Sequence, residues 1–404
     1  MDFYIARRIE EKCRKCNFCT TYIDCAGEEQ CSGCGACVVA CPFEAKVLEP
    51  YEPREFVEIK INGRSLSVPA RITILKALSL AGFKISMIPE EGSFLAPCQT
   101  GGCYSCLVLA NGKPVRSCIT PVKAGMEIET AKEKIEKFPP VRLISGFQPH
   151  MAGGVGTPFE IKRIFYYIEV ACFAHGCILR CPTCQNWNIT YVSFGRPITP
   201  QEAAKNLTNL RYKYRLNRMA ISGGESTLNR RWLIEFVKAL KRLNPDKEAR
   251  IHIDTNAVFL TKDYIDELIY YGMTDIGPDI KGLRLETFKR ITNIKDEKLA
   301  KTLWQRNWQT VEYLLKECFD KIFVGIGIPY NKELISLDEI YEIGKRLASW
   351  QKEVQVCVVD YRPEFRRRDI ERPSFEEMKK VHRLLRAAGL KTVICQTRQG
   401  YIFP

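Results

Sequence analysis

The sequence predicts an α/β protein, a partial (β/α)6 barrel that follows a small cysteine-rich segment and a compact β module. Two observations carry this expectation. From about residue 160 the chain alternates short β-branched runs with amphipathic segments six times, the pattern of a parallel sheet with right-handed crossovers. Ahead of it, twelve of the nineteen cysteines fall before residue 120, and four more lie between 172 and 184, too clustered to be scattered small hydrophobes.

A chain of 404 residues, 46% hydrophobic and 27% charged, can bury a large core in two or three domains, which excludes a disordered protein or a disulfide-stapled miniprotein. The formal charge is +14 before any cofactor is counted. MDFYIARRIEEKCRKC lacks an apolar signal-peptide region, and no apolar run approaches the roughly 18 residues of a membrane helix. A cytoplasmic protein without a membrane partner is expected. The recurring two- and three-residue gaps between cysteines suit metal ligation better than disulfides.

Residues 1–50 hold Cys13, Cys16, Cys19 and Cys25, then Cys31, Cys34, Cys37 and Cys41 before Pro42. The second run, CSGCGACVVACP, has the two-, two- and three-residue gaps of bacterial [4Fe–4S] ferredoxins; the first, CRKCNFCTTYIDC, has five residues before its fourth cysteine and no proline. Resemblance to two-cluster ferredoxins implies crossed ligation, Cys41 joining Cys13, Cys16 and Cys19, and Cys25 joining Cys31, Cys34 and Cys37.

In residues 51–130, FVEIKING and SLSVP read as a hairpin turning at Asn-Gly, followed by a helix over about 73–81. Cys98, Cys103, Cys106 and Cys118 then show the four- and two-residue gaps of plant-type ferredoxins. The segment resembles the β-grasp [2Fe–2S] ferredoxin domains at the front of larger redox enzymes. Zinc is the plainer alternative, though tetrahedral zinc sites rarely use that spacing.

Residues 131–160, with FPP and MAGGVGTP, read as a linker. The barrel is assigned to 161–404, with strands near 164–171, 218–222, 251–254, 275–280, 322–328 and 354–359. Helices fall between them, including about 200–214, 230–243 and 261–271, with Thr199 and Thr261 as N-caps and Pro200 at a first helical position.

After the first barrel strand, HGCILRCPTCQNW places Cys177, Cys181 and Cys184 on one loop. Three thiolates can hold three irons of a cubane, leaving the fourth open to a small ligand. The motif resembles that of the radical S-adenosylmethionine (SAM) enzymes, and ISGGES resembles their GGE motif, which implies Gly223, Gly224 and Glu225 at the methionine amino group. Asp254, Thr255 and Asn256 (DTN) and Asp279, Ile280 and Lys281 (DIK) are similar to the glycyl-radical activases, which implies Lys281 at the methionine carboxylate with Asp279 nearby. Thr183 stands where that family usually has an aromatic residue.

A check independent of family is available, because catalytic groups of parallel barrels gather at the carboxyl ends of strands. The six expected strands are followed by the cysteine loop, Gly223–Glu225, Asn256, Lys281, Pro329–Asn331 and Asp360–Arg362. Tyr330, Asn331, Asp360 and Arg362 read as loop structure more readily than as substrate contacts. Cys172, Cys318, Cys357 and Cys395 read as buried thiols, His175 as a loop residue, and Arg366, Arg367 and Arg368 as a solvated basic face.

The resemblance implies an oxidoreductase that cleaves SAM reductively to a 5′-deoxyadenosyl radical for hydrogen abstraction. Its cofactors would be three [4Fe–4S] clusters, one [2Fe–2S] cluster and SAM, and its partners an electron donor such as ferredoxin and a protein substrate, as for an activase. Two alternatives stay open: a non-catalytic multi-cluster electron carrier, or a radical SAM enzyme acting on a small molecule or RNA. No nucleic-acid recognition module or stacking platform accompanies the basic charge, so nucleic acid is not an expected partner.

Overall fold

The computed structural model describes residues 3–404 except 54, 90 and 165. The chain divides into two compact units, one of Met1–Ile144, Ala174–Ile178 and Asn186–Thr199, the other of Ser145–Phe173, Leu179–Gln185 and Pro200–Pro404.

In the first unit, strand β1 (Tyr4–Arg8) pairs antiparallel with β2 (Lys46–Pro50), so the eight front cysteines lie in the chain between two joined strands. Next come β3 (Phe56–Ile61) and β4 (Arg64–Pro69), joined at Asn62 and Gly63. Both turn residues have positive φ, 50° and 81°, as the Asn-Gly pair requires. The helix Ile74–Leu80 starts at Thr73, whose side chain accepts from the Lys76 amide. Strands β5 (Ile85–Ser86), β6 (Phe94–Leu95), β7 (Leu107–Ala110), β8 (Lys113–Arg116) and β9 (Glu127–Glu129) follow, giving a five-stranded sheet in the order β4-β3-β9-β7-β8. Ile59, Ile61, Val68, Ile74, Leu78, Val108 and Ile128 fill the core between this sheet and the helix.

The second unit carries a nine-stranded sheet that runs in chain order through β10 (Ile144–His150), β11 (Glu169–Ala174), β12 (Arg218–Gly223), β13 (Arg250–Thr255), β14 (Asp275–Pro278), β15 (Phe323–Tyr330), β16 (Gln355–Asp360), β17 (Thr392–Thr397) and β18 (Gly400–Ile402). Strands β12 to β17 pair in parallel, and β18 returns antiparallel. Strand β14 is buried throughout and β15 nearly so, as a parallel strand covered on both faces must be. The expected helices form as Pro200–Tyr214, Arg230–Leu243 and Lys262–Tyr270. Thr261 precedes the third but caps no amide; its hydroxyl donates to Asp263 instead, at 2.6 Å. Among the described residues no helix is long and apolar enough to cross a membrane.

Residues 131–160 are not a linker. They contain the helix Lys132–Ile135 and the edge strand β10, and 153–157 press against the interior of the sheet. A Cβ on Gly325 would lie 2.5 Å from the Val155 carbonyl oxygen, and one on Gly156 2.6 Å from the carbonyl carbon of Ile276. Lys162 gathers this turn by donating to the carbonyls of Ala152, Gly153 and Gly154 at 2.9, 3.2 and 2.8 Å. Glycine here serves close backbone approach, whereas composition alone suggested mobility. The barrel unit accordingly begins at Ser145 and cedes 174–178 and 186–199 to the front unit, in place of the simple span 161–404.

Candidate functional site

In the front segment the cysteines form two neighbourhoods. The thiol of Cys19 is influenced by those of Cys16 and Cys41, and the thiols of Cys34 and Cys37 by those of Cys25 and Cys31. Burial pushes Cys34 up to about 11 and Cys37 up to about 12, values at which a thiol ionises only beside strong positive charge such as iron. Backbone amides already point at sulfur: Ala6 N donates to Cys31 Sγ at 3.2 Å and Ala45 N to Cys41 Sγ at 3.3 Å.

Cys98, Cys103, Cys106 and Cys118 are all buried, at most 3% exposed. Cys103 and Cys118 share hydrogen bonds with Cys98, and Cys106 with Cys118, so the four sulfurs meet in one pocket. Donation from its neighbours holds Cys98 well below the usual thiol range, while burial drives Cys103 well above it. The amide of Thr100 adds a bond to Cys98 Sγ at 3.5 Å. Four converging thiols with amide donors are the donor set of a plant-type cluster.

The carboxyl ends of β12, β13, β14 and β16 build the rest of the site. Gly223 and Gly224 stay partly exposed where β12 ends, and Gly223 has φ 114°. Glu225 turns inward and is fully buried. Its carboxylate accepts from Thr227 N at 3.0 Å, Thr227 Oγ1 at 2.7 Å, Thr255 Oγ1 at 2.6 Å and Asn256 N at 2.7 Å. Burial raises its pKa despite these donors. Asn256 is likewise built in, its Oδ1 accepting from Val258 N at 3.2 Å and its carbonyl from Asn307 Nδ2 at 2.9 Å.

Beyond β14, Lys281 Nζ donates to Asp279 Oδ2 at 2.9 Å and to the Tyr361 hydroxyl at 3.0 Å. Burial alone would lower this ammonium, but the Asp279 carboxylate lifts it well above the usual lysine range. A Cβ on Gly327 would stand 2.1 Å from Asp279 Oδ1, so glycine on β15 makes room for that carboxylate. Burial drives the Cys181 thiol up to about 12, with Lys281 pulling the other way. The cysteine loop is fastened by the stretch after β16, where the amides of Arg366 and Arg367 donate to the Pro182 carbonyl at 3.0 and 3.2 Å. These arginines are therefore part of the loop's support and not only a solvated face.

Asp254 retains 17% side-chain exposure, and behind it His252 is fully buried with Nε2 3.0 Å from Asp254 Oδ1 and Nδ1 3.4 Å from Glu169 Oε2. Burial opposes the charge on His252, yet the two carboxylates raise it to about 9. Arg218 pairs with Asp275 at 2.9 Å and approaches Glu169 at 3.8 Å. Sequence reasoning placed Tyr361 only within the strand-end stretch Asp360–Arg362 and passed over His252 and Glu169; the period-two pattern of HID on β13 was the available signal for an inward histidine beside Asp254. Asn331 donates to the carbonyls of Tyr361 and Glu371, and Asp360 accepts from Arg372 at 2.6 Å, both structural roles. Cys172, Cys318, Cys357 and Cys395 are buried thiols, and His175 is buried with Nδ1 3.2 Å from the Val192 carbonyl.

These cysteine sets and strand ends define an iron–sulfur oxidoreductase on an open α/β barrel. Residues 172–336 match the radical SAM superfamily, residues 54–133 a 2Fe-2S iron-sulfur cluster binding domain, and residues 27–47 a 4Fe-4S binding domain. The chain thus carries a radical SAM domain preceded by 4Fe-4S and 2Fe-2S domains. It is similar to 7-carboxy-7-deazaguanine synthase of Hyperthermus butylicus, 25% identical over 43% of this chain and 74% of that one. The NADPH-Fe(3+) oxidoreductase subunit alpha of Geobacter sulfurreducens is 34% identical over 20% of this chain and 10% of its own length. Among solved structures, SuiB of Streptococcus suis bound to precursor peptide SuiA aligns at TM-score 0.41 and 14% identity, over 55% of this chain and 46% of that one. HydG, a maturase of the [FeFe]-hydrogenase, aligns at TM-score 0.41 and 16% identity, over 56% of this chain and 52% of its own. The chain thus spans about half the length of these structures and a tenth of the Geobacter subunit.

Proposed function

We propose that the chain uses SAM reductively to abstract hydrogen from a protein partner, as activases do, with electrons passing inward through its own front-end sites from a donor such as ferredoxin. Cys177, Cys181 and Cys184 would hold the catalytic [4Fe–4S] cluster. Cys13, Cys16, Cys19 and Cys41 would hold a second, Cys25, Cys31, Cys34 and Cys37 a third, and Cys98, Cys103, Cys106 and Cys118 the [2Fe–2S] cluster. Bound together, the reduced catalytic cluster and SAM supply reductive cleavage of a sulfonium.

The protein's part is positioning. Lys281 has three N–H donors, two of them taken by Asp279 and Tyr361, which leaves one for a methionine carboxylate. Gly223 and Gly224 offer bare backbone to the amino group. Glu225, occupied by four donors, acts by holding the ends of β12 and β13 in register. Asp254 and Asp279 keep access for polar ligand groups. The observation that carries this reading is Lys281 held between Asp279 and Tyr361, across the ends of β14 and β16.

Anaerobically loaded full-length protein should form 5′-deoxyadenosine and methionine with dithionite, above a Cys177→Ala control. Yields equal to that control would overturn the proposal. Iron analysis with Mössbauer spectroscopy should find about fourteen irons and a [2Fe–2S] component.

A second reading, a small-molecule substrate, is favoured by the match to 74% of the deazaguanine synthase. Rising 5′-deoxyadenosine yield with a deazapurine-like heterocycle in place of a protein would select it.

A further inference from the structure

Within the first unit, the residue before Cys177 lies directly on the two-iron site. Gly176 has φ +84°, and a Cβ there would stand 2.9 Å from Cys103 N, 3.1 Å from Cys98 Cβ and 3.2 Å from Cys103 Cβ. From the other side, a Cβ on Gly102 would stand 2.6 Å from Gly176 N and 2.8 Å from the carbonyl carbon of His175. Two backbones therefore touch with nothing larger than glycine between Cys103 and Cys177. The contact is held by buried bonds: Leu143 bridges it, its N donating to the Gly102 carbonyl and its carbonyl accepting from His175 N, while fully buried Arg142 donates to the His175 carbonyl at 2.9 Å.

The front segment reaches the same unit by a different route. Arg116 donates to the carbonyls of Gly101 and Ser193 at 2.9 and 2.8 Å and pairs with Asp24, the neighbour of Cys25, at 2.5 Å. Its guanidinium also lies 4.8 Å over the ring of Tyr104, between Cys103 and Cys106. Arg116 thus links the loop of the two-iron site to the front segment, which also meets residues 187–194 directly, Phe18 packing on Trp187 at 4.9 Å and Asp24 N donating to Ser193 Oγ at 2.9 Å.

We infer that the [2Fe–2S] site is the immediate electron donor to the cluster ligated by Cys177, across the Cys103–Gly102 and Gly176–Cys177 backbone contact. This inference rests on the proposed function. One electron moves per step: the two-iron site is oxidised by one unit, the catalytic cluster is reduced by one, no proton is exchanged, and a low-potential one-electron donor refills the front. Tunnelling falls exponentially with distance, so the module in backbone contact carries the transfer. Plant-type sites are low-potential one-electron carriers, as this position requires.

The test is electron paramagnetic resonance of the dithionite-reduced, fully loaded chain. A nearby paramagnet speeds relaxation, so the microwave power that half-saturates the two-iron signal reports what lies beside it. Cys177→Ala should lower that power at least two-fold, and more than Cys37→Ala does, with the g-values of the two-iron signal unchanged as proof that its module is folded. Gly102→Ala, which drives the two backbones apart, should slow reoxidation of the two-iron signal on mixing with SAM about ten-fold in freeze-quench samples. Should that variant fail to fold, the Cys177→Ala comparison stands alone. An unchanged saturation power in Cys177→Ala, or a larger change in Cys37→Ala, would overturn the inference. If wild type forms 5′-deoxyadenosine while these signals stay uncoupled, the electron order is wrong and the proposed function survives; if it forms none, the proposed function itself has failed.

Discussion

Thr255 Oγ1 donates to Glu225 Oε1 at 2.6 Å, which ties the end of one barrel strand to the end of the next through a carboxylate with no exposure to solvent. The glutamate of the GGE motif is thereby a structural fastener before it is anything else. Glu225→Gln sets an amide N–H₂ against groups that themselves donate, at a cost of about 1–3 kcal/mol. Thermal unfolding should shift down by several degrees, and SAM affinity, measured by equilibrium dialysis, should fall with it. A variant with unchanged melting and unchanged affinity would refute the fastening role.

The Lys281 ammonium is shared by Asp279 and Tyr361. Tyr361→Phe removes one hydrogen bond, about 0.5–1.5 kcal/mol, and should reduce SAM affinity modestly. Lys281→Met also strips Asp279 of its partner; because that carboxylate is 30% exposed, the cost to stability is held to about 1–3 kcal/mol. Its SAM affinity should drop about ten-fold or more, equivalent to roughly 1.4 kcal/mol. Calorimetric titration of the loaded protein separates the two variants, and equal losses would contradict the distinct roles.

His252 is held at about 9, between Asp254 and Glu169, while Arg218 and Lys162 also face Glu169. Its folded pKa exceeds the free value of 6.5, so the stability it contributes is fully present below about pH 6.5 and is lost as pH rises through 9. Glu169 behaves oppositely: burial would raise it, but His252, Arg218 and Lys162 bring it down to about 2, so its contribution is present above about pH 4.5 and is lost as pH falls through 2. The alkaline loss is on the order of 3 kcal/mol. Melting curves between pH 6 and 9.5 should slope downward for wild type and flatten in His252→Gln; parallel slopes would exclude the network as their source.

Gly154 leaves no space for a side chain, since a Cβ there would lie 2.1 Å from Asp254 Oδ2 and 2.6 Å from His252 Cε1. Gly154→Ala should therefore displace Asp254 and destabilise the barrel by about 1–3 kcal/mol, as overpacking does. Chemical denaturation would show it as a lower midpoint at constant slope. Were residues 151–158 a free linker, the substitution would be silent.

The barrel strands and the Asn-Gly hairpin were legible because alternation and turn chemistry are local signals. Strand β12 spans Arg218–Gly223 where 218–222 was expected, and β16 spans Gln355–Asp360 where 354–359 was expected. The plug at 153–157 was not legible, since a glycine needed for close approach and one needed for mobility look the same in one dimension. Strands β10, β17 and β18 were missed: β10 carries a glycine and a proline within seven residues, and β17 and β18 follow the six repeats that had seemed to complete the barrel. In the site, the residue types at the strand ends were foreseen, but the partner of each depends on contacts far apart in the chain. Tyr361 lies 80 residues from the lysine it touches.

The front unit borrows Ala174–Ile178 and Asn186–Thr199 from within the barrel sequence. During synthesis that unit cannot close until Thr199 has left the ribosome, and at about 5–20 residues per second this leaves its cysteine loops waiting for roughly ten to thirty seconds after Cys41 emerges. Iron delivery to the first twelve cysteines must then be timed to a half-made chain or deferred to a finished one. Cutting the gene between its apparent modules would sever this dependence and yield a front fragment that lacks residues of its own unit.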